Sequence, residues 1–100
     1  MNQIVVEFNT AGGTARQYEQ IWEDLKAAGH EHPRGIISHV GFAKPDGNWC
    51  VVDVWESQQA FDEFGKTLIP LLEKNGFKEG KPKVYPAHYV YIGETEHAYA

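Results

Sequence analysis

His39 and Asp53 are the two residues of this chain whose types best suit acid–base chemistry. Free imidazole has a pKa of about 6.5 and can take a proton from an acidic substrate at neutral pH, so His39 is the candidate catalytic base. A carboxylate on a neighbouring strand can hold an imidazole in one tautomer, which is the catalytic role predicted for Asp53. Trp55 is predicted to form a flat apolar wall against which an aromatic or polyketide-like ligand could bind. The alternative is that His39 and Asp53 only satisfy each other in a subunit interface.

Three further residues are candidates for ligand binding, namely His88, Glu7 and Tyr85. Pro86 can bulge the last predicted strand, so either His88 or the pair formed by Tyr85 and Tyr89 can reach a cavity. Glu7 has the competing interpretation of a solvated or interface carboxylate.

The sequence predicts neither a metal nor a cofactor. His30 and His32 flank Glu31, but zinc sites need three or four ligands and no third is evident, so we expect a surface loop. There is no glycine-rich phosphate loop, nucleophile elbow or cysteine pair. The single cysteine, Cys50, is predicted to be an inert core thiol beneath the helices.

Size and charge restrict the class of protein. One hundred residues predict a single domain spanning residues 1–100. A net charge of −5 and a pI near 5.4 argue against nucleic-acid and anionic-membrane partners. No apolar run approaches the roughly 18–20 residues of a membrane span, and the first residues lack the layout of a signal peptide. A cytoplasmic protein is therefore expected.

The first half of the chain reads as a strand, a helix and a hairpin. Ile4 to Phe8 alternates as a strand does. Thr14 and Gln17 form a capping-box pattern that predicts the start of a helix. Two further strands, Ile36–Ala43 and Trp49–Trp55, are separated by a strong turn signal and predict a hairpin.

The second half predicts one more helix and one more strand. Ser57 suits a helix N-cap, and Pro70 is expected to kink or split the helix that follows. Val84 to Ile92 reads as a fourth strand, with Pro86 best tolerated at a sheet edge or a bulge. Residues 93–100 are expected to form a flexible tail or to drape over a partner.

The resulting β-α-β-β-α-β order predicts an α+β ferredoxin-like fold with a four-stranded antiparallel sheet. The small residues Cys50, Val52 and Val54 are predicted to lie under the helices. The opposite face would then collect a polar and aromatic set: Glu7, Ile37, His39, Val51, Asp53 and Trp55. A homodimer that pairs these faces is the expected way to bury them.

Several segments together resemble the dimeric α/β-barrel superfamily, and within it small bacterial proteins similar to antibiotic-biosynthesis monooxygenases and stress-responsive barrel proteins. These segments are Pro33-x-Gly35, His39, Asp46-Gly47-Asn48-Trp49, Asp53-Val54-Trp55-Glu56-Ser57, Ala60-Phe61 and Tyr85-Pro86-x-His88. The resemblance implies a homodimer with a pocket between helices and sheet, or inside the barrel of each subunit. The superfamily includes cofactor-free oxygenases. Together with the polar and aromatic second face, this gives the first hypothesis, a pocket for a small hydrophobic or aromatic ligand with cofactor-free monooxygenase chemistry.

Two other functions stay open at this point. One is a non-catalytic stress-associated or ligand-binding protein whose second sheet face is only a dimer interface. The other is haem binding, since the superfamily includes haem-degrading enzymes and His39 or His88 could serve as the axial ligand.

Overall fold

A computed structural model describes residues 2–77 and 82–93 of the chain. Its elements follow the predicted order: β1 Ile4–Thr10, α1 Ala15–Ala27, β2 Ile36–Ala43, β3 Trp49–Trp55, α2 Gln58–Lys74 and β4 Lys83–Pro86. All strand pairs are antiparallel, and the sheet order is β2-β3-β1-β4. The α+β ferredoxin-like fold and the β2–β3 hairpin are therefore confirmed.

Both helices begin at the predicted capping residues. The Gln17 backbone N–H donates to Thr14 Oγ1 at 3.2 Å, and the Thr14 N–H donates to Gln17 Oε1 at 3.0 Å, which completes the capping box. At α2, the Ala60 N–H donates to Ser57 Oγ at 3.1 Å. In residues 2–77 and 82–93, neither helix is long and apolar enough to cross a membrane.

Two boundary predictions were wrong. Helix α2 continues through Pro70, so the split was wrong, whereas the alternative, a kink, stays a prediction. This proline lies on an exposed face, where water can satisfy the carbonyl that it leaves unpaired. Strand β4 ends at Pro86 rather than Ile92, and one further backbone bond follows it, from the Ala87 N–H to the Gln3 carbonyl at 2.9 Å. The edge position predicted for Pro86 is confirmed. The predicted tail lies outside the described residues, apart from Gly93.

The helices cover the opposite side of the sheet from the predicted one. Trp55 packs on Phe61 and Phe64 of α2, so the β3 residues in phase with Trp55 face the helices. Cys50 is buried as expected, but with Val52 and Val54 it points away from them. We call this other side the open face; its residues include Val5, Glu7, Val40, Phe42, Val52, Val54 and Tyr85.

A β-bulge explains why two β2 residues of different phase both reach the helix side. The register of β2 against β3 shifts between Ile36 and Ser38, which inserts Ile37 as an extra residue. Ile36 stands opposite Trp55, and His39 stands opposite Asp53. The bulge therefore separates Ile37 from His39, which the strict alternation had placed on one face.

Candidate functional site

A cavity of about 70 Å³ lies between the helices and the sheet. Its lining is almost entirely apolar and aromatic, apart from a few polar groups that come from β1, β2, β3 and α1. The lining includes Tyr18, Trp22, His39, Trp49, Asp53 and Phe64. An apolar space with a small number of convergent polar groups is the usual form of a small-molecule site.

Asp53, His39 and Tyr18 form a hydrogen-bonded series at this cavity. His39 Nδ1 lies 2.5 Å from Asp53 Oδ1, and His39 Nε2 contacts the hydroxyl of Tyr18. The second oxygen of Asp53 accepts the indole N–H of Trp55 at 3.2 Å. Asp53 is the one buried charged residue in the part of the chain that the structure describes, at 5% exposure, and these partners satisfy both of its oxygens.

The partners of His39 assign its tautomer. A carboxylate only accepts hydrogen bonds, so the proton of a neutral His39 lies on Nδ1, and the Tyr18 hydroxyl donates to Nε2. Aromatic contacts hold the ring in this orientation: Tyr18 is parallel to it within 3°, and the Trp22 ring meets it edge-on with centroids 5.0 Å apart. His39 is thus held at both of its nitrogens, and the Trp22 ring packs against it edge-on.

Burial raises the pKa of the Tyr18 phenol above its ordinary value. The negative charge of Asp53 raises the pKa further, whereas the neighbouring Trp22 side chain opposes the shift. The phenol therefore stays protonated through the neutral range and keeps its proton available for His39.

Gly41 makes the approach of Tyr18 to β2 possible. A Cβ atom at this position would lie 2.7 Å from Tyr18 Cζ and 2.8 Å from its hydroxyl oxygen. These separations are shorter than side-chain atoms tolerate, so any larger residue would displace the phenol from His39. The glycine acts here through its lack of a side chain, not through an unusual backbone angle.

Trp49 carries a donor that has no acceptor among the described residues. Its Nε1 is buried, and the ring lies against Tyr18 with centroids 4.9 Å apart. Buried N–H groups are nearly always hydrogen-bonded, so each exception calls for an explanation. The ring of Trp49 also lines the cavity that contains His39.

The structure brings together three of the six predicted site residues, His39, Asp53 and Trp55, and places the other three elsewhere. His39 and Asp53 are in contact, as predicted, but beneath the helices rather than on the second face. Trp55 is fully buried behind Asp53 in a cluster with Phe61 and does not line this cavity. The rings that line it include those of Tyr18, Trp22 and Trp49.

The remaining candidates do not line this cavity. Glu7 and Tyr85 belong to the open face, because they pair with Val52 and Val5 respectively. His88 is exposed beyond the end of β4. None of His88, Tyr85 and Tyr89 lines the cavity beneath the helices, and Tyr89 instead lines a pocket on the open face together with Val5 and Val54.

Tyr18 was missed as a functional candidate because it belongs to the apolar stripe of a helix. Its spacing of four residues from Trp22 placed both on one helical face, which is the ordinary pattern of core residues. The available signal was Gly41, two residues after His39, since a glycine in a strand interior often marks a close approach.

The geometry bears on metal and haem ligation as well. Across residues 2–77 and 82–93, no three histidine, cysteine or acidic side chains are grouped as a metal site would need. Both ring nitrogens of His39 are engaged by protein partners, so neither is free to serve as an axial ligand. His32 is exposed and lies 3.4 Å from Glu31, as expected for a surface loop.

Fold and cavity together define a ferredoxin-like α+β protein with a hydrogen-bonded histidine beneath its helices. A family model described as antibiotic biosynthesis monooxygenase matches residues 1–69, and the chain belongs to this family. No curated protein matches the sequence.

Solved structures share the fold at low sequence identity. The cofactor-independent oxygenase SnoaB from Streptomyces nogalater aligns with a TM-score of 0.63 at 16% identity, over 90% of this chain and 97% of its own. A putative antibiotic biosynthesis monooxygenase from Deinococcus radiodurans gives 0.56 at 14%, over 93% and 99%. A putative monooxygenase from Shewanella loihica gives 0.55 at 20%, over 90% and 99%. At these identities the likeness shows the fold alone.

Proposed function

We propose that this protein is a homodimeric, cofactor-independent monooxygenase that acts on a small aromatic, polyketide-like ligand. The observation that carries the proposal is the Asp53–His39–Tyr18 series at an otherwise aromatic cavity. Membership of the antibiotic biosynthesis monooxygenase family and the shared fold of a cofactor-independent oxygenase support the same reaction class.

In this proposal His39 is the general base, and Tyr18 connects it to the ligand. The hydroxyl that donates to Nε2 can pass its proton to His39 while accepting one from the ligand, so the phenol never carries a full charge. Asp53 is a positioning residue that stabilises the resulting imidazolium through Nδ1. The raised pKa of Tyr18 favours this coupled transfer over a free phenolate.

The ligand supplies the electrons for oxygen. Loss of a proton from an acidic CH₂ group between aromatic rings leaves a carbanion that can reduce O₂ and combine with it. The resulting hydroperoxide loses water and leaves a carbonyl, so that RH₂ and O₂ give RO and H₂O. One oxygen atom enters the product, the other leaves as water, and no further reductant is needed.

The aromatic walls and Trp49 would orient the ligand. Flat rings can stack on Trp22 and Trp49, which favours a planar ligand. The buried N–H of Trp49 would find in a ligand oxygen the acceptor that the described residues do not offer. A bound carbonyl or phenolic oxygen is the simplest acceptor of this kind.

Exposed apolar residues on the open face support the homodimer. Val40 is 56% exposed and Phe42 is 40% exposed, and Tyr85 adds a half-exposed ring on the same side. An apolar surface of this extent commonly marks an interface, and two such faces can cover each other around a two-fold axis. The cytoplasmic location stays a prediction from the sequence.

Oxygen consumption with dithranol, a hydroxylated three-ring anthrone, tests the proposal. We expect the wild type to exceed the uncatalysed rate with formation of the anthraquinone danthron, and His39→Gln to lower kcat by about 100-fold or more. His88→Gln is the matched control, because it removes an exposed histidine outside the cavity. Equal rates for the wild type and His39→Gln would contradict the assignment of the base.

The small size of the cavity favours one alternative, a non-catalytic binding protein. About 70 Å³ is far below the roughly 300–1,000 Å³ of typical ligand pockets, and the polar groups largely satisfy one another. Binding of danthron without oxygen uptake from dithranol would favour this alternative over the enzyme.

A further inference from the structure

Two spaces meet at one side chain of α2. Besides the cavity that contains His39, a groove of about 390 Å³ runs between the loop around Arg34 and the first turns of α2. Among the residues that the structure describes, Phe64 alone lines both spaces. Within the same helix, Thr67 lines the groove and Leu68 lines the cavity, so this part of α2 forms the wall between them.

The sizes of the two spaces show why a ligand would need both. The inner cavity is too small for a molecule of several rings, whereas the groove alone reaches the range of ordinary ligand pockets. A multi-ring ligand whose reacting carbon is near His39 must therefore extend through the position of Phe64.

Phe64 is the part of this wall that a change of rotamer could open. Its side chain is only partly buried and packs against Trp55 with ring centroids 5.2 Å apart. A helical phenylalanine has two common χ1 rotamers, so one rotation can transfer its ring from one position to another.

The groove is polar and its charges nearly balance. Arg34 and Glu56 contribute one charge of each sign, and Glu63 is paired with Lys66 at 3.2 Å. This composition suits a neutral part of a ligand that carries hydroxyl or carbonyl groups, because such groups accept from a guanidinium and donate to a carboxylate without leaving a buried charge.

We propose that this groove is the outer half of the ligand site, and that Phe64 selects ligands by their length. The inner half takes the aromatic end that reacts, and the outer half takes a neutral, hydroxylated end of a multi-ring molecule. The assignment of the reacting end rests on the proposed monooxygenase function, whereas the two-part site does not require turnover.

Danthron and phenol are suitable probes, because they differ in length and neither has the reactive CH₂ group. Their binding can be followed by quenching of the fluorescence of Trp22 and Trp49, which line the inner cavity. We expect Phe64→Ala to raise the association rate constant of danthron by about tenfold and to change that of phenol less than about twofold. Leu68→Val is the control that alters the wall without opening it.

A second pair of variants tests the groove itself. Arg34→Gln and Glu56→Gln should each weaken danthron binding by about fivefold or more, with little effect on phenol. Arg16→Gln on the exposed surface of α1 is the matched control for loss of an arginine. If danthron binds equally to all of these variants and to the wild type, the two-part site is wrong.

A third variant separates gating from loss of folding. Phe64→Leu keeps an apolar side chain of smaller size, and it should show the same direction of change as Phe64→Ala with a thermal melt close to that of the wild type. Length selection by Phe64 without oxygen uptake from dithranol would support the two-part site and refute the monooxygenase. If the Phe64 variants consume oxygen with dithranol at the rate of the wild type, the result would support the monooxygenase and contradict the two-part site.

Discussion

The two faces of the sheet differ although they are built from alternate residues of the same strands. On the helix side Val6 and Trp55 are fully buried and Asp53 is 5% exposed. On the open face Val40 and Phe42 are exposed by 56% and 40%. Both faces carry polar side chains, His39 and Asp53 on the helix side and Glu7 on the open face, so polarity by itself does not decide which face becomes the core.

Size and hydrogen bonding explain this difference. Large rings are needed to fill the space between a sheet and two helices, and Trp55, Phe61 and Phe64 do so together. The polar side chains can be buried among them because Asp53 and His39 satisfy each other. Small aliphatic residues fill less of this space and lie on the open face.

The largest expected effect comes from Trp55→Ala on the helix side. Removal of a fully buried indole should lower the free energy of unfolding by about 3–5 kcal/mol, because it leaves a cavity and deprives Asp53 of a donor. Urea denaturation monitored by circular dichroism measures this loss.

Phe42→Ala is the counterpart on the open face. In an isolated chain its cost should stay within about 0.5 kcal/mol, as is usual for a surface substitution. In a dimer joined through this face the cost grows with protein concentration, whereas the loss from Trp55→Ala does not. If Phe42→Ala at high dilution lowers the free energy of unfolding as much as Trp55→Ala does, the two faces do not differ in their contribution to stability.

Gly41→Ala should have a smaller effect, confined to the helix side. The new methyl group would meet the Tyr18 ring at 2.7 Å, so we expect a loss of about 1–3 kcal/mol and a weakened contact with His39. Nuclear magnetic resonance of the His39 ring nitrogens reports the contact, and urea denaturation reports the stability.

Gly65→Ala is the matched control for a glycine-to-alanine change. A Cβ there meets nothing within 4 Å and the residue is helical, so the substitution should stabilise α2 by up to about 1 kcal/mol. If Gly41→Ala and Gly65→Ala change the free energy of unfolding by the same amount, the close packing of Tyr18 against β2 does not contribute to stability.

The smallest expected effect is a pH dependence that comes from Tyr18. Because burial raises its pKa in the folded state, the unfolded chain loses this proton first as the pH rises above about 10. The unfolded state then binds fewer protons, so the free energy of unfolding decreases with pH from there up to the folded pKa. Below pH 10 both states are protonated and this contribution is constant.

Tyr18→Phe should remove that decrease, and Tyr85→Phe on the open face is the control for loss of a phenol. Urea denaturation between pH 9 and pH 11 compares the slopes. An unchanged slope in Tyr18→Phe would mean that the phenol is not desolvated as the helix-side geometry indicates.

Local signals were enough to predict most of the fold. The capping box at Thr14, the N-cap at Ser57 and the turn before Trp49 depend on neighbours within a few residues, and each lies where it was expected. The length predicted for β4 was wrong, and so was the split expected at Pro70. The cost of a proline depends on whether its surroundings can satisfy the carbonyl that it leaves, and this is a property of the tertiary structure.

The candidate site was only partly predictable. The contact of His39 with Asp53 followed from strand pairing, which sequence periodicity indicates well. Its position beneath the helices did not follow, because a period of two shows which residues share a face but not which face is covered. Tyr18 was hidden among core residues, since only its contact with Gly41 and His39 distinguishes it.

The amino-acid sequence alone therefore determines the order of elements, the hairpin and the partnership of His39 with Asp53. These properties depend on local propensity and alternation. The tertiary structure decides the side on which the helices dock, and hence that Tyr18 completes the series while Trp55 supports Asp53 from behind. The physical reason is that docking depends on the shape and hydrogen-bond partners of both layers at once, which no single segment encodes.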